Sequence, residues 1–121
     1  MKPSDGKILI VEDNALFGRV LEGELNNNGF ETVRVTTMDD ALALLPTLGE
    51  MGVGGALLDG NISSGSRLNE EGTELNRRIK ALYGDTVRTA GIASSDIVDG
   101  ADIPDLGKDF LADIPGIMDK L

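Results

Sequence analysis

The run Lys7-Ile8-Leu9-Ile10-Val11 sets four apolar, mostly β-branched residues side by side and then stops abruptly at Glu12-Asp13-Asn14. A continuous run of this kind reads as a strand buried on both faces, the condition of strands inside a parallel sheet. The pattern recurs: Ala56-Leu57-Leu58 ends in Asp59, and Val87 to Ala93 ends in Ser94-Ser95-Asp96. Phe30 to Val35 and the region from Ile103 to Leu106 supply two further candidate strands. Between the strands the apolar residues take helical spacing. Phe17, Val20, Leu21 and Leu25 fall on one face of Ala15 to Asn27, with Asn14 or Asp13 as cap and Asn26-Asn27-Asn28-Gly29 as stop. Thr37 with Asp40 opens a second helix bearing Ala41, Leu42, Leu45 and Leu48, which Pro46 should end or kink near Leu45. Leu75, Ile79 and Leu82 predict the stripe of a third. Leu111, Ile114, Ile117, Met118 and Leu121 predict a closing helix interrupted at Pro115-Gly116. Gly52 to Gly55 reads as a flexible lead-in to the third strand, and because it precedes a strand it is no nucleotide-binding fingerprint.

Strands alternating with helices on short connections imply an α/β domain with a parallel sheet covered on both faces. At 121 residues the chain has room for a single domain, residues 1–121, since domains usually take roughly 100–200. Composition removes whole classes of chemistry. There is no cysteine and no histidine, so disulfides, thiolate metal sites, cysteine nucleophiles and serine–histidine triads are excluded. Eleven basic against 21 acidic residues leave a net charge of −10, which argues against direct nucleic-acid binding through phosphate neutralisation. No apolar run is long enough for a membrane span, and the first residues do not form a signal peptide, so a cytoplasmic location without membrane insertion is expected.

In an open parallel sheet, ligands sit at the carboxyl ends of the strands. Glu12 and Asp13, Asp59, Ser94 and Lys108 all fall at predicted strand ends. Three carboxylates in one crevice repel one another, and keeping them ionised calls for a cation; Mg2+ suits carboxylates, a carbonyl and water. Asp13, Asp59 and the backbone carbonyl of Asn61 would hold it, while Ser94 and Lys108 would take up the oxygens of an incoming anion. That is chemistry for phosphoryl transfer to the Asp59 carboxylate.

The ordered set Ile8-Leu9-Ile10-Val11-Glu12-Asp13-Asn14, Leu57-Leu58-Asp59, Gly72-Thr73-Glu74-Leu75, Ile92-Ala93-Ser94-Ser95 and Lys108-Asp109-Phe110 resembles the response regulator receiver domain of two-component signalling, over nearly the whole chain. The resemblance implies a flavodoxin-like, doubly wound, five-stranded sheet of order 2-1-3-4-5. It implies Asp59 as phosphoacceptor, Glu12 and Asp13 as metal-site acids, Ser94 as switch hydroxyl and Lys108 as the lysine that pairs with phosphate. Asn61 and Asp96 then stand where removal of the phosphoryl group by water is tuned. The expected partners are a histidine kinase or phosphotransfer protein as donor and a downstream protein. No enzyme activity is expected beyond autocatalytic phosphoryl acceptance and dephosphorylation.

This chain departs from the family's pattern in specific places. The stretch from Asp59 to Gly72 is longer than usual. Ser94 to Lys108 spans only 14 positions (108 − 94), too few for a full fourth helix, so that helix is expected shortened or missing. Pro104, Asp105, Leu106 and Gly107 put no aromatic where the family has one, and Asp109 replaces the proline after the lysine. A phosphorylation-independent interaction module is therefore the main alternative. A haloacid-dehalogenase-type phosphatase fits less well: it needs an acid two residues after its nucleophile, where this chain has Asn61, and its nucleophile strand comes before the acidic pair.

Overall fold

The computed structural model describes residues 1–59, 62, 70–92, 97–107 and 110–121. The apolar runs become four parallel strands: β1 (Lys7–Val11), β2 (Thr32–Val35), β3 (Val53–Leu58) and β4 (Arg88–Gly91), in the order β2-β1-β3-β4. The helices are α1 (Ala15–Asn27), α2 (Met38–Leu44), α3 (Leu48–Met51), α4 (Glu70–Tyr83) and α5 (Ile114–Lys120). Period-two alternation in β1 divides the core into two layers. Ile8 and Ile10 join Leu21 and Leu25 of α1 with Ile114 and Met118 of α5 on one face. Leu9 and Val11 join Ala41, Leu45, Leu48, Leu75 and Ile79 on the other. The sheet is thus covered on both sides, as the unbroken apolar runs require.

Local chemistry sets the ends of the elements. The Asn14 side chain caps α1 by accepting from the Phe17 N–H at 3.0 Å, and Thr37 caps α2 by accepting from the Asp40 N–H at 3.1 Å. Pro46 ends α2 as expected: the chain passes through a 3-10 turn, Leu45–Thr47, and resumes as α3. Pro115 does not interrupt the last helix. It lies in the first turn of α5, where its missing N–H costs nothing, and the preceding Phe110–Asp113 forms a separate 3-10 turn capped onward by Asp113.

Gly54 and Gly55 are strand residues, not a flexible lead-in. A Cβ on Gly54 would overlap the Asp5 carbonyl oxygen, and one on Gly55 would meet the Met1 sulfur at 2.8 Å, so these glycines let the amino-terminal segment cross the sheet edge. A second difference concerns the α4 stripe. Leu75 and Ile79 are wholly buried, but Leu82 is 58% exposed, while Asn76 is buried. At 3.6 residues per turn position 82 lies within about 20° of Leu75 around the helix, so the stripe is sound as helix geometry. Leu82 is exposed because the fold buries α4 at Leu75 and Ile79 but leaves its last turn uncovered there.

The expected fifth strand occupies its expected edge as a single parallel bridge, Ala90 with Ile103. Ile103 and Leu106 donate to the carbonyls of Thr89 (3.1 Å) and Gly91 (2.9 Å), and Gly91 donates back to Ile103 (2.9 Å). The Asp102 carboxylate takes over part of the pairing by accepting the Thr89 N–H at 2.9 Å. The Lys80 ammonium of α4 donates to the same oxygen at 2.5 Å, and Arg88 lies 3.4 Å from the other. Burial pushes the Asp102 carboxyl up, yet Lys80, Thr89 and Arg88 together hold it below the ordinary carboxylate range. A salt-bridged side chain does here what a longer strand would do elsewhere. Residues 97–101 form no helix, in line with the shortened crossover.

Candidate functional site

The pairing register explains why distant acids meet. Val11 on β1 stands opposite Leu58 on β3, so the next residue of each strand, Glu12 and Asp59, leaves the sheet beside the other. The Asp59 N–H donates to the Val11 carbonyl at 2.9 Å, and the Glu12 N–H to Val35 at 3.1 Å, which pins both backbones at the carboxyl edge. Glu12, Asp13 and Asp59 each offer a carboxylate oxygen within 4.8 Å of the others. Glu12 and Asp59 are buried at 6% and 8% exposure, and Asp13 is exposed, giving the cluster one open side.

Electrostatics at this cluster are unfavourable without a cation. The Glu12 carboxyl is pushed up to about 8. Burial is the largest cause; the Asn14 N–H, donating to Glu12 Oε1 at 3.1 Å, works against it; the Asp59 charge and hydrogen bonds to Asp13 and Asp59 push further upward. Residue patterning does not reveal that Asn14 contribution, because it comes from a backbone amide at the start of α1. The only available signal was an acid two residues before a helix cap. Gly18 on α1 also supports the site: its bare Cα lets Arg34 pack close, with a Cβ there lying 3.1 Å from Arg34 Cδ and 3.8 Å from Glu12 Cβ.

Of the residues expected at the site, Glu12, Asp13 and Asp59 are brought together. Asn61, Ser94, Asp96 and Lys108 lie outside the described residues. Phe110, just beyond Lys108, is buried and meets Phe17 of α1 edge to face at 6.1 Å, so the chain after Lys108 is anchored against the helix that follows Glu12-Asp13.

A scan against protein-family models gives no match, and a search of curated proteins gives none either. Solved structures do match. The response regulator receiver domain (CheY-like) from Methylobacillus flagellatus aligns with a TM-score of 0.72 and 22% identity, over 94% of this chain and 96% of that one. The receiver domain of sensor histidine kinase PA1611 from Pseudomonas aeruginosa PAO1 aligns at 0.71 and 23%, over 95% of each chain. The chain has the receiver-domain fold. The BeF3-activated DrrB receiver domain agrees, with a TM-score of 0.67 and 19% identity over 98% and 99% of the two chains. Against one fusion structure carrying a yeast Spc42 coiled coil, this chain spans 58% of the other's length. Identities this low establish the fold, and the acidic cluster lies where the receiver fold collects its strand ends, at the carboxyl edge of β1 and β3. No described helix is long and apolar enough to cross a membrane.

Proposed function

We propose that this chain is a phosphoacceptor receiver domain, in which Asp59 takes a phosphoryl group from the phosphohistidine of a kinase or phosphotransfer protein and the product acts on a protein partner. The observation that carries the reading is the convergence of Glu12, Asp13 and Asp59 within 4.8 Å on a receiver fold. The donor set fits Mg2+: every side-chain ligand is a hard carboxylate oxygen, and Glu12, Asp13 and Asp59 stand close enough for one cation to reach all three. Glu12, Asp13 and Asp59 would hold the ion, with the Asn61 carbonyl as a further ligand. When bound it neutralises charge on the phosphoryl oxygens. The PA1611 receiver domain is described with a magnesium ion in its active site cleft, which supports this assignment.

The chain's own groups account for the transfer. An Asp59 carboxylate oxygen attacks phosphorus, the P–N bond to the donor breaks with its electrons going to the imidazole, and an aspartyl phosphate results. The hydrogen bond from Asp59 N–H to Val11 holds the attacking residue in place. Ser94 and Lys108 are assigned to the phosphoryl oxygens, one by hydrogen bond and one by charge. The reaction needs no other catalyst from this chain, consistent with a switch in a two-component pathway located in the cytoplasm.

A second reading, a receiver-like interaction module that is not phosphorylated, draws on the edge segment. Ile103, Pro104, Asp105 and Leu106 place no aromatic beside β4, and residues 97–101 form no helix, so the surface that would report the switch is reduced. Incubating the protein with phosphoramidate and Mg2+, then measuring intact mass, separates the two. The phosphoacceptor reading expects a mass gain of one phosphoryl group, absent in Asp59→Asn and absent with a chelator. An unmodified wild-type protein would leave the module reading in its place.

A further inference from the structure

We infer that a groove between α2 and the carboxyl-terminal half of α4 docks an acidic amphipathic helix of a partner protein. The groove, about 310 Å³, is lined by Leu42, Leu45 and Pro46 on one side and by Arg77, Arg78, Ala81 and Leu82 on the other. Its apolar floor and the 58% exposure of Leu82 leave a leucine in solvent that a core-facing stripe would have buried. Two helices lying side by side present the geometry into which a third helix fits its apolar ridge.

Charge selects the occupant. The chain carries −10 overall, yet among the described residues no carboxylate lines this groove. Arg77 and Arg78 both turn to one acid, Glu74: Arg77 Nη2 lies 2.6 Å and Arg78 Nε 2.9 Å from the same Glu74 oxygen. One carboxylate shared by two guanidiniums leaves the wall a net positive charge. Both arginines are more than half exposed, at 67% and 52%, so they can reach a second acid. An apolar helix face flanked by glutamates or aspartates satisfies floor and wall together, and a basic helix would meet two like charges.

This surface does not depend on phosphorylation. Helices in such a fold run antiparallel to the strands, so the end of α4 lies at the amino edge of the sheet, opposite the carboxyl edge that holds Glu12 and Asp59.

The test is fluorescence anisotropy with two labelled helical peptides. Both carry leucines at i, i+3, i+4 and i+7; one has glutamates at the flanking positions and the other has lysines. The glutamate peptide is expected to bind saturably and to lose about tenfold in affinity in Leu82→Glu and in the Arg77→Glu/Arg78→Glu double variant. Its binding should also weaken between about 50 mM and about 500 mM salt. Asp59→Asn should bind it like the wild type. Circular dichroism confirms that the exposed-site variants remain folded. Equal binding of the lysine peptide, or saturable binding of neither, overturns the proposal. So does sedimentation showing that the wild-type protein self-associates in a way that Leu82→Glu abolishes, since the occupant would then be a second copy.

Discussion

Among the described residues, Glu12 is the carboxyl that its surroundings push furthest upward. Its carboxyl titrates near 8 in the folded chain against 4.5 as a free side chain, so the folded state holds a proton over that interval that the unfolded chain has already released. Below about 4.5 both states are protonated and Glu12 carries no penalty. Between 4.5 and 8 stability falls as pH rises, and above 8 the penalty is complete. Glu12→Gln removes the charge and keeps the shape. In a chelating buffer at pH 8.5 the variant is expected to melt higher than wild type, by about 1–2 kcal/mol of stability, and to show a flatter pH dependence between 5 and 8. Thermal melts across that range check it; a lower melting point for the variant at pH 8.5 would show that Glu12 is stabilised as an anion by something other than a cation. The same substitution should weaken Mg2+ binding, because one of three carboxylates is gone.

At the scale of elements, the edge beyond β4 is where this chain solves its own shortage of residues. Among the described residues Ile103 alone forms a bridge, and the attachment is completed by the Leu106 N–H, which donates to Gly91, and by Asp102, which binds Thr89, Lys80 and Arg88 at once. Gly91 makes the close approach possible, since a Cβ there would overlap the Pro104 carbonyl oxygen and lie 3.1 Å from Val98 Cγ2. Gly91→Ala is therefore expected to cost about 1–3 kcal/mol by overpacking against backbone that cannot yield. Hydrogen–deuterium exchange should speed at Ile103 and Leu106, the two amides that donate to β4, while β1 and β3 amides stay protected in proportion to global stability. Unchanged exchange at those two positions would show that the edge segment is held by Asp102 alone.

On the scale of the whole molecule, three carboxylates brought together by folding make a site that the unfolded chain lacks, so a cation that binds it stabilises the fold by mass action. At ten times its dissociation constant, Mg2+ should add about 1.4 kcal/mol and raise the melting temperature by several degrees. Asp13→Asn should diminish the rise, and a wild-type melting curve indifferent to 20-fold changes in millimolar Mg2+, roughly 1–20 mM, would remove the metal assignment. The sequence determined the strands and their ends. Unbroken apolar runs such as Ile8 to Val11 can only be buried on both faces, and the abrupt change to Glu12 and Asp59 placed the acids at the carboxyl edge. It also placed the cap at Thr37 and the break at Pro46 and narrowed the first cap to Asn14 or Asp13, because each depends on a residue's own local chemistry; the structure chose Asn14. Tertiary structure decided what depends on neighbours distant in the chain. Gly54 and Gly55 are strand because Asp5 and Met1 cross over them, and Leu82 faces solvent because the fold covers α4 at Leu75, Asn76 and Ile79 but not at position 82. The fifth strand shrinks to a bridge because Asp102 takes its hydrogen bond, and the Glu12 carboxyl is pushed up to about 8 because the fold buries it and sets Asp59 beside it. Local propensity can be read one residue at a time, whereas close approach, burial and charge repulsion exist only between residues that the fold has already brought together.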